Sequence, residues 1–200
     1  MLFVRHATSA GMREARFPAG GAAGDPADAG GLARARRLAG TLPGTEAWSS
    51  PARAALQTCA ALGLAARPVA ALAEAGHGRW SGVPYARVAA EEPDALARWL
   101  SDPHAAPHGG ESRSAVAARV AAWLGTGAAG VAVCDAGAIR AALAHALGVD
   151  VTAADRIDLA PLSTTQLVTT ELVTTELVTT ELVTTGNGWR VAHVNRKVAD

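Results

Sequence analysis

LFVRHATSAG, residues 2–11, runs three apolar side chains straight into an arginine and a histidine. A short apolar run of this kind reads as an interior strand. In α/β proteins, ligand sites gather in the crevice beyond the carboxyl ends of such strands. Arg5 and His6 therefore stand where a site would be. The reading of the fold turns on whether other strands deliver partners to the same edge.

Further strands are present. VAVC (Val131–Cys134) is a continuous apolar run, and EAWSS (residues 46–50) and RPVAA (residues 67–71) are shorter candidates. Helical patterns lie between them. Leu32, Ala35, Leu38, Ala39 and Leu42 share one face of a helix over 32–42, and Pro51 opens another at its favoured first-turn position, running to about Gly63. Two short helices fall between Pro84 and Ser101. Val116, Val120, Trp123 and Leu124 mark an amphipathic helix over 111–124, and AIRAALAHALG is a helix ended by Gly148. At the C-terminal end, LVTT segments and WRVAHVN flank GNG, a hairpin turn signal. This alternation predicts an α/β fold, a three-layer α/β/α sandwich around a mainly parallel central sheet. AGGAAGDPADAGG (residues 19–31) reads as a mobile connector and lacks the Lys-Ser or Lys-Thr ending of a phosphate-binding loop.

Composition narrows the class. Two hundred residues suit one α/β domain with a sizeable core, taken as residues 1–200. Eighteen basic and eighteen acidic residues cancel, which removes the electrostatic case for nucleic acid or an anionic membrane as partner. Cys59 and Cys134 lie in no metal or redox spacing and read as reduced, buried thiols of a cytoplasmic protein. Arg5 breaks the N-terminal apolar run, so no signal peptide is read, and no stretch is long enough to span a bilayer. His104 and His108 have Pro107 between them and glycines after them, which argues against a helical zinc pair; no metal is expected.

Residues 166–185 read QLVTT-ELVTT-ELVTT-ELVTT. An odd period turns a strand's outward face over at each copy, and five residues do not hold one helical face. A solenoid needs at least about three stacked units, whereas four such pentads make about one coil. The segment is read as a tandem expansion of one ELVTT in an edge hairpin, without a functional role.

The chemistry lies at the strand ends. SSPARAALQT (residues 49–58) puts Arg53 in the first turn of a helix whose N-terminus favours an anion. LAEAGHGRWSG (residues 72–82) supplies Glu74, and VAVC delivers Asp135 just ahead of a helix start. Taken singly, Arg5 and Arg53 read as surface ion-pair partners, His6 as a structural histidine and Glu74 as a cap. Taken together on one rim, they suit a phosphate dianion and a proton donor.

VRHATSAG, SSPARAALQT, LAEAGHGRWSG, HGGES and VCDAGAIRAAL occur in the order found in the histidine phosphatase (phosphoglycerate mutase-like) superfamily. The chain resembles that family from residue 2 to about 165 and again at GWRVAHVN. EAGHGRWSG is similar to a run in the small branch that includes α-ribazole phosphatase-like enzymes. The resemblance implies a metal-independent phosphomonoester hydrolase, without a cofactor, acting on a small phosphorylated metabolite. His6 would be the nucleophile, forming a phosphohistidine, and Arg5 and Arg53 would clamp the non-bridging oxygens. Glu74 would protonate the leaving alkoxide and then deprotonate water. Thr8, Ser9, Ala136 and His108 would add contacts to the phosphate or substrate. Homodimerisation stays open.

One departure from the pattern bears on all of this. Asp135 stands where the family carries a second histidine. An ionised carboxylate about 4 Å from a phosphate oxygen repels it by roughly 4 kcal/mol at an effective dielectric near 20. Asp135 is then protonated when substrate binds, or turns to Arg5 or Arg53 and orients the clamp, or marks a catalytically impaired protein that binds phosphoesters or acts in interactions. His77 and His108 are candidate replacements for the missing imidazole. Ala7 stands where glycine is common, and Met12 where an asparagine often binds phosphate.

Overall fold

β1 (Leu2–Arg5) pairs in parallel with β4 (Val131–Cys134) and antiparallel with β5 (Ser163–Thr169), so the Arg-His motif leaves from the middle of a sheet. The computed structural model describes residues 1–20, 24–43, 46–169 and 188–197. Its six strands run in the order β3 (Arg67–Pro68), β2 (Ala47–Ser49), β4, β1, β5, β6 (Trp189–Lys197). The first four pair in parallel, and β5 and β6 are antiparallel to their neighbours. This is the mainly parallel sheet the sequence predicts.

Side-chain alternation along β1 and β4 separates two cores. Leu2, Val4, Val131 and Val133 pack with residues of α2 (Ala29–Arg37) and α3 (Arg53–Ala61). Phe3, Ala132 and Cys134 pack with residues of α6 (Arg113–Leu124) and α7 (Ala136–Leu147). Burial on both faces explains why these strands read as unbroken apolar runs. The alanines of α7 (Ala138, Ala141, Ala142, Ala144, Ala146) are buried with it, and small side chains let the helix lie close to its neighbours. Gly148 ends α7 in the left-handed conformation, φ 64°, as its position suggests.

Helix boundaries differ from the sequence reading in several places, α2 most of all. α2 begins at Ala29, inside the stretch read as a connector, because Asp28 caps it by accepting from the Gly31 N–H. That cap outweighs the poor helix propensity of the two glycines. The helix ends at Arg37 instead of Leu42. α3 begins at Arg53, not at Pro51: the Ser50 hydroxyl accepts from the Ala52 N–H (3.2 Å), and Ala52 remains extended. The short helices α4 (Tyr85–Glu91) and α5 (Pro93–Ser101) lie where expected, together with α1 (Ala10–Arg13) and α8 (Val151–Ala154).

β5 and β6 form the antiparallel pair expected from the GNG signal. Gly186, Asn187 and repeat residues 170–185 lie outside the described residues, while Gln166–Thr169 continue β5 with Leu167 buried. Cys59 and Cys134 are free and buried. Among the described residues, no helix is long and apolar enough to cross a membrane.

Candidate active site

Beyond Arg5 the chain turns over His6, and two hydrogen bonds fix that turn. The His6 N–H donates to the Cys134 carbonyl (2.9 Å), and the Ala7 N–H donates to the Thr58 hydroxyl on α3 (3.0 Å). The imidazole is 3 % exposed. Its Nδ1 lies 2.8 Å from the Ala7 carbonyl, an acceptor that requires the proton on Nδ1. Nε2 lies 3.6 Å from Glu74 Oε1. Burial penalises the imidazolium, but Glu74, the Ala7 carbonyl and Asp135 together outweigh it and raise the pKa of His6. An NMR titration should therefore place His6 above an ordinary histidine and find it lowered in Glu74→Gln. A pKa unmoved by that substitution would show that Glu74 does not set the charge of His6.

Glu74 is delivered by two loops joined backbone to backbone. The Glu111 N–H donates to the Gly76 carbonyl (2.6 Å), and the Arg79 N–H donates to the His108 carbonyl (3.0 Å). Arg119 braces the same junction, donating to the Glu111 carboxylate (2.7 Å) and to the carbonyls of Ala71 (2.6 Å) and Ala73 (2.8 Å). Gly110 permits the close approach, since a Cβ there would lie 2.0 Å from the Gly76 oxygen. Gly110→Ala must push this backbone apart. The expected cost is about 1–3 kcal/mol, or roughly 2–12 °C in Tm, with loss of activity as Glu74 shifts. A melting curve matching the parent's would show that the junction yields freely.

A cavity of about 900 Å³ opens at this point, and Arg5, His6, Glu74, His77, Asp135 and Ala136 belong to its wall. Four of them come from the ends of β1 and β4, as the strand-tip argument requires. Residues 1–195 match the histidine phosphatase superfamily (branch 1). The chain belongs to that superfamily.

Within it, a stretch of 75 residues is 43 % identical to glucosyl-3-phosphoglycerate phosphatase of Mycobacterium tuberculosis (strain CDC 1551 / Oshkosh), covering 36 % of this chain. The match spans about a third of that relative, 34 % of its length. The solved structure of mycobacterial glucosyl-3-phosphoglycerate phosphatase is similar with a TM-score of 0.78 and 25 % identity, covering 98 % of both chains. A protein from Thermus thermophilus is similar with a TM-score of 0.66 and 32 % identity, over 82 % of this chain and 86 % of its own.

Against the family pattern, the site departs in more than one place. Asp135 is the N-cap of α7: Oδ2 accepts from the Gly137 N–H (2.8 Å) and Oδ1 from the Ala138 N–H (3.2 Å). It forms no ion pair with Arg5 or Arg53 among the described residues, so it does not orient a clamp by direct contact. Burial and then Glu74 raise its pKa, while His6 and the two N–H groups hold it back.

Arg53 is a correction. It is exposed and lines neither this cavity nor the small neighbouring one of about 40 Å³, whose wall includes Ala54 and Glu74. Successive helix residues point about 100° apart, so Ala54, not Arg53, is turned toward Glu74. His108 is also misplaced by the sequence reading. It is 2 % exposed, its Nδ1 accepts from the Gly110 N–H (2.9 Å), and its ring packs 4.9 Å from that of Trp80. Ser9 caps α1 by accepting from the Met12 N–H (3.4 Å), and the Thr8 carbonyl accepts from the Asp28 N–H (2.8 Å). Neither lines the main cavity.

His77 does reach the wall, but its ring packs 5.1 Å from Phe17. Burial, with His108 beside it, pushes its pKa down to about 4. A neutral imidazole cannot supply the missing positive charge at pH 7. The sequence reading missed three cavity arginines: Arg113, Arg140 and Arg156. Arg113 is paired with Asp155. Arg140 was available to inspection within VCDAGAIRAAL, one turn inside a helix whose side chains tilt back toward its N-terminus.

Proposed function

We propose that this chain is a phosphomonoester hydrolase acting through a phosphohistidine at His6 on a small phosphorylated metabolite. The observation that carries the reading is the His6–Glu74 couple, with Nδ1 held by the Ala7 carbonyl and Nε2 3.6 Å from the carboxylate. Superfamily membership and the name of the phosphatase relative support it.

The couple works with one proton, which rests on Glu74 when the Nε2 lone pair attacks phosphorus. The P–O ester bond breaks, and Glu74 gives its proton to the leaving alkoxide. Water then attacks the phosphohistidine, Glu74 takes a proton from it, and the P–N bond breaks to release phosphate and restore His6. Arg5 holds non-bridging oxygens whose charge the transition state must accommodate. The proton's path is short because the two side chains share one buried site.

A second reading has its own support. Asp135 capping α7 and Arg53 turned outward favour a catalytically impaired protein that binds phosphoesters. Phenyl phosphate separates the two. The phosphatase reading expects steady phosphate release and an acid-labile phosphoenzyme on rapid quenching. Binding of inorganic phosphate without either would establish the impaired protein instead.

A further inference from the structure

With Arg53 outside the cavity and Asp135 in the histidine position, Arg5 lacks both expected partners around the phosphate. Arg140 stands beside it. Its Nε donates to the Ile157 carbonyl (3.0 Å), and Arg5 Nη1 donates to the Leu159 carbonyl. Two residues of chain span at most about 7 Å, so one short backbone segment holds the two guanidinium groups as neighbours. Both line the cavity that contains His6 and Glu74.

Their charge supports the same placement. Arg140 has no carboxylate within 4 Å among the described residues, unlike Arg113, which is neutralised by Asp155. Burial lowers the pKa of Arg5, Asp135 and Asp158 oppose this, and Arg140 adds to the lowering. Asp135 and Asp158 offset part of the repulsion between the two like charges without forming an ion pair with either arginine among the described residues, and an anion lying between the guanidinium groups relieves the rest. A phosphoryl group with several oxygens can accept from both, and guanidinium forks match that geometry.

We infer that Arg140 is the second guanidinium of the phosphate clamp, acting with Arg5 in place of Arg53 and of the missing histidine. This rests on the phosphatase reading of the same site. Arg140 reaches the phosphate from inside α7, so the clamp is built from two strand–helix junctions instead of three.

The test measures inorganic phosphate and orthovanadate binding by calorimetry, and phenyl phosphate kinetics, for the parent, Arg140→Met, Arg140→Lys and Arg53→Met. Losing a charged hydrogen-bond partner weakens binding about 10- to 100-fold. Arg140→Met should show that loss, Arg140→Lys should recover part of it, and Arg53→Met should lose at least tenfold less than Arg140→Met. Guanidinium added far below denaturing concentrations should restore binding to Arg140→Met. A merely structural Arg140 would lower Tm and loosen the 157–159 segment, with no rescue by guanidinium; that result overturns the inference. So does phosphate affinity in Arg140→Met equal to the parent's. A parent that binds phosphate through Arg140 but never turns over phenyl phosphate refutes the phosphatase reading alone. A parent that binds neither anion refutes both.

Discussion

His6→Ala should abolish turnover of phosphate esters, lowering kcat/KM by about 10⁴-fold or more, the scale seen when a covalent nucleophile is deleted. Alanine retains the backbone N–H that donates to Cys134 and leaves the Ala7–Thr58 hydrogen bond in place. What it loses is the Nδ1 bond to Ala7 and the contact with Glu74. The melting temperature should therefore change by no more than a few degrees, since the imidazole lies at a cavity wall and not among the packed residues of either core. The phosphoenzyme that the phosphohistidine mechanism expects on rapid quenching should be missing from the same variant. Activity within tenfold of the parent would remove the phosphohistidine mechanism, and a collapse of Tm would mean that His6 is primarily structural.

The parts of the site carried by strand tips were legible from sequence. Leu2–Val4 and Val131–Cys134 are unbroken apolar runs, and such runs fix both the sheet and the edge where Arg5, His6 and Asp135 emerge. Glu74 was found through the motif around it, although the junction that holds it depends on Gly110 packing against Gly76, a contact no local pattern encodes. Arg53 was misjudged because helix phase decides which of two adjacent residues faces the site, and that phase follows from where α3 starts. Pro51 suggested one start, and Ser50 imposed another. His108 was misread because a polar loop residue near a cleft is indistinguishable, from sequence, from one folded back into an aromatic cluster. Arg140 escaped notice because its significance depends on Ile157 and Leu159, whose carbonyls accept from Arg140 and Arg5 respectively and bring the two side chains together only through the tertiary fold. The helix start that Asp135 caps was visible; that its own carboxylate occupies those N–H groups was not.

Asp135→Asn should raise turnover about tenfold and Asp135→His by up to two orders of magnitude, because a comparable transition-state donor is worth about 10²–10³ in rate. The carboxylate now takes the Gly137 and Ala138 N–H groups for itself and places negative charge against Arg5, His6 and Glu74. Asparagine keeps one of the two cap acceptors and removes the charge, so activity rises with little loss of Tm, since Asn and Asp cap helices about equally well. Histidine supplies a stronger donor but gives up the cap, which costs about 1 kcal/mol, or roughly 2–4 °C in Tm. The gain in activity thus costs little stability in one variant and opposes it in the other. Steady-state kinetics on phenyl phosphate, with melting curves for the parent and both variants, reads the result. Gains in both establish an electrostatically impaired phosphatase. Losses in both mean that the clamp has come to depend on Asp135 as an anchored anion. Absence of turnover in all three, with phosphate still bound, leaves a phosphoester-binding protein whose α7 cap replaced its catalytic donor.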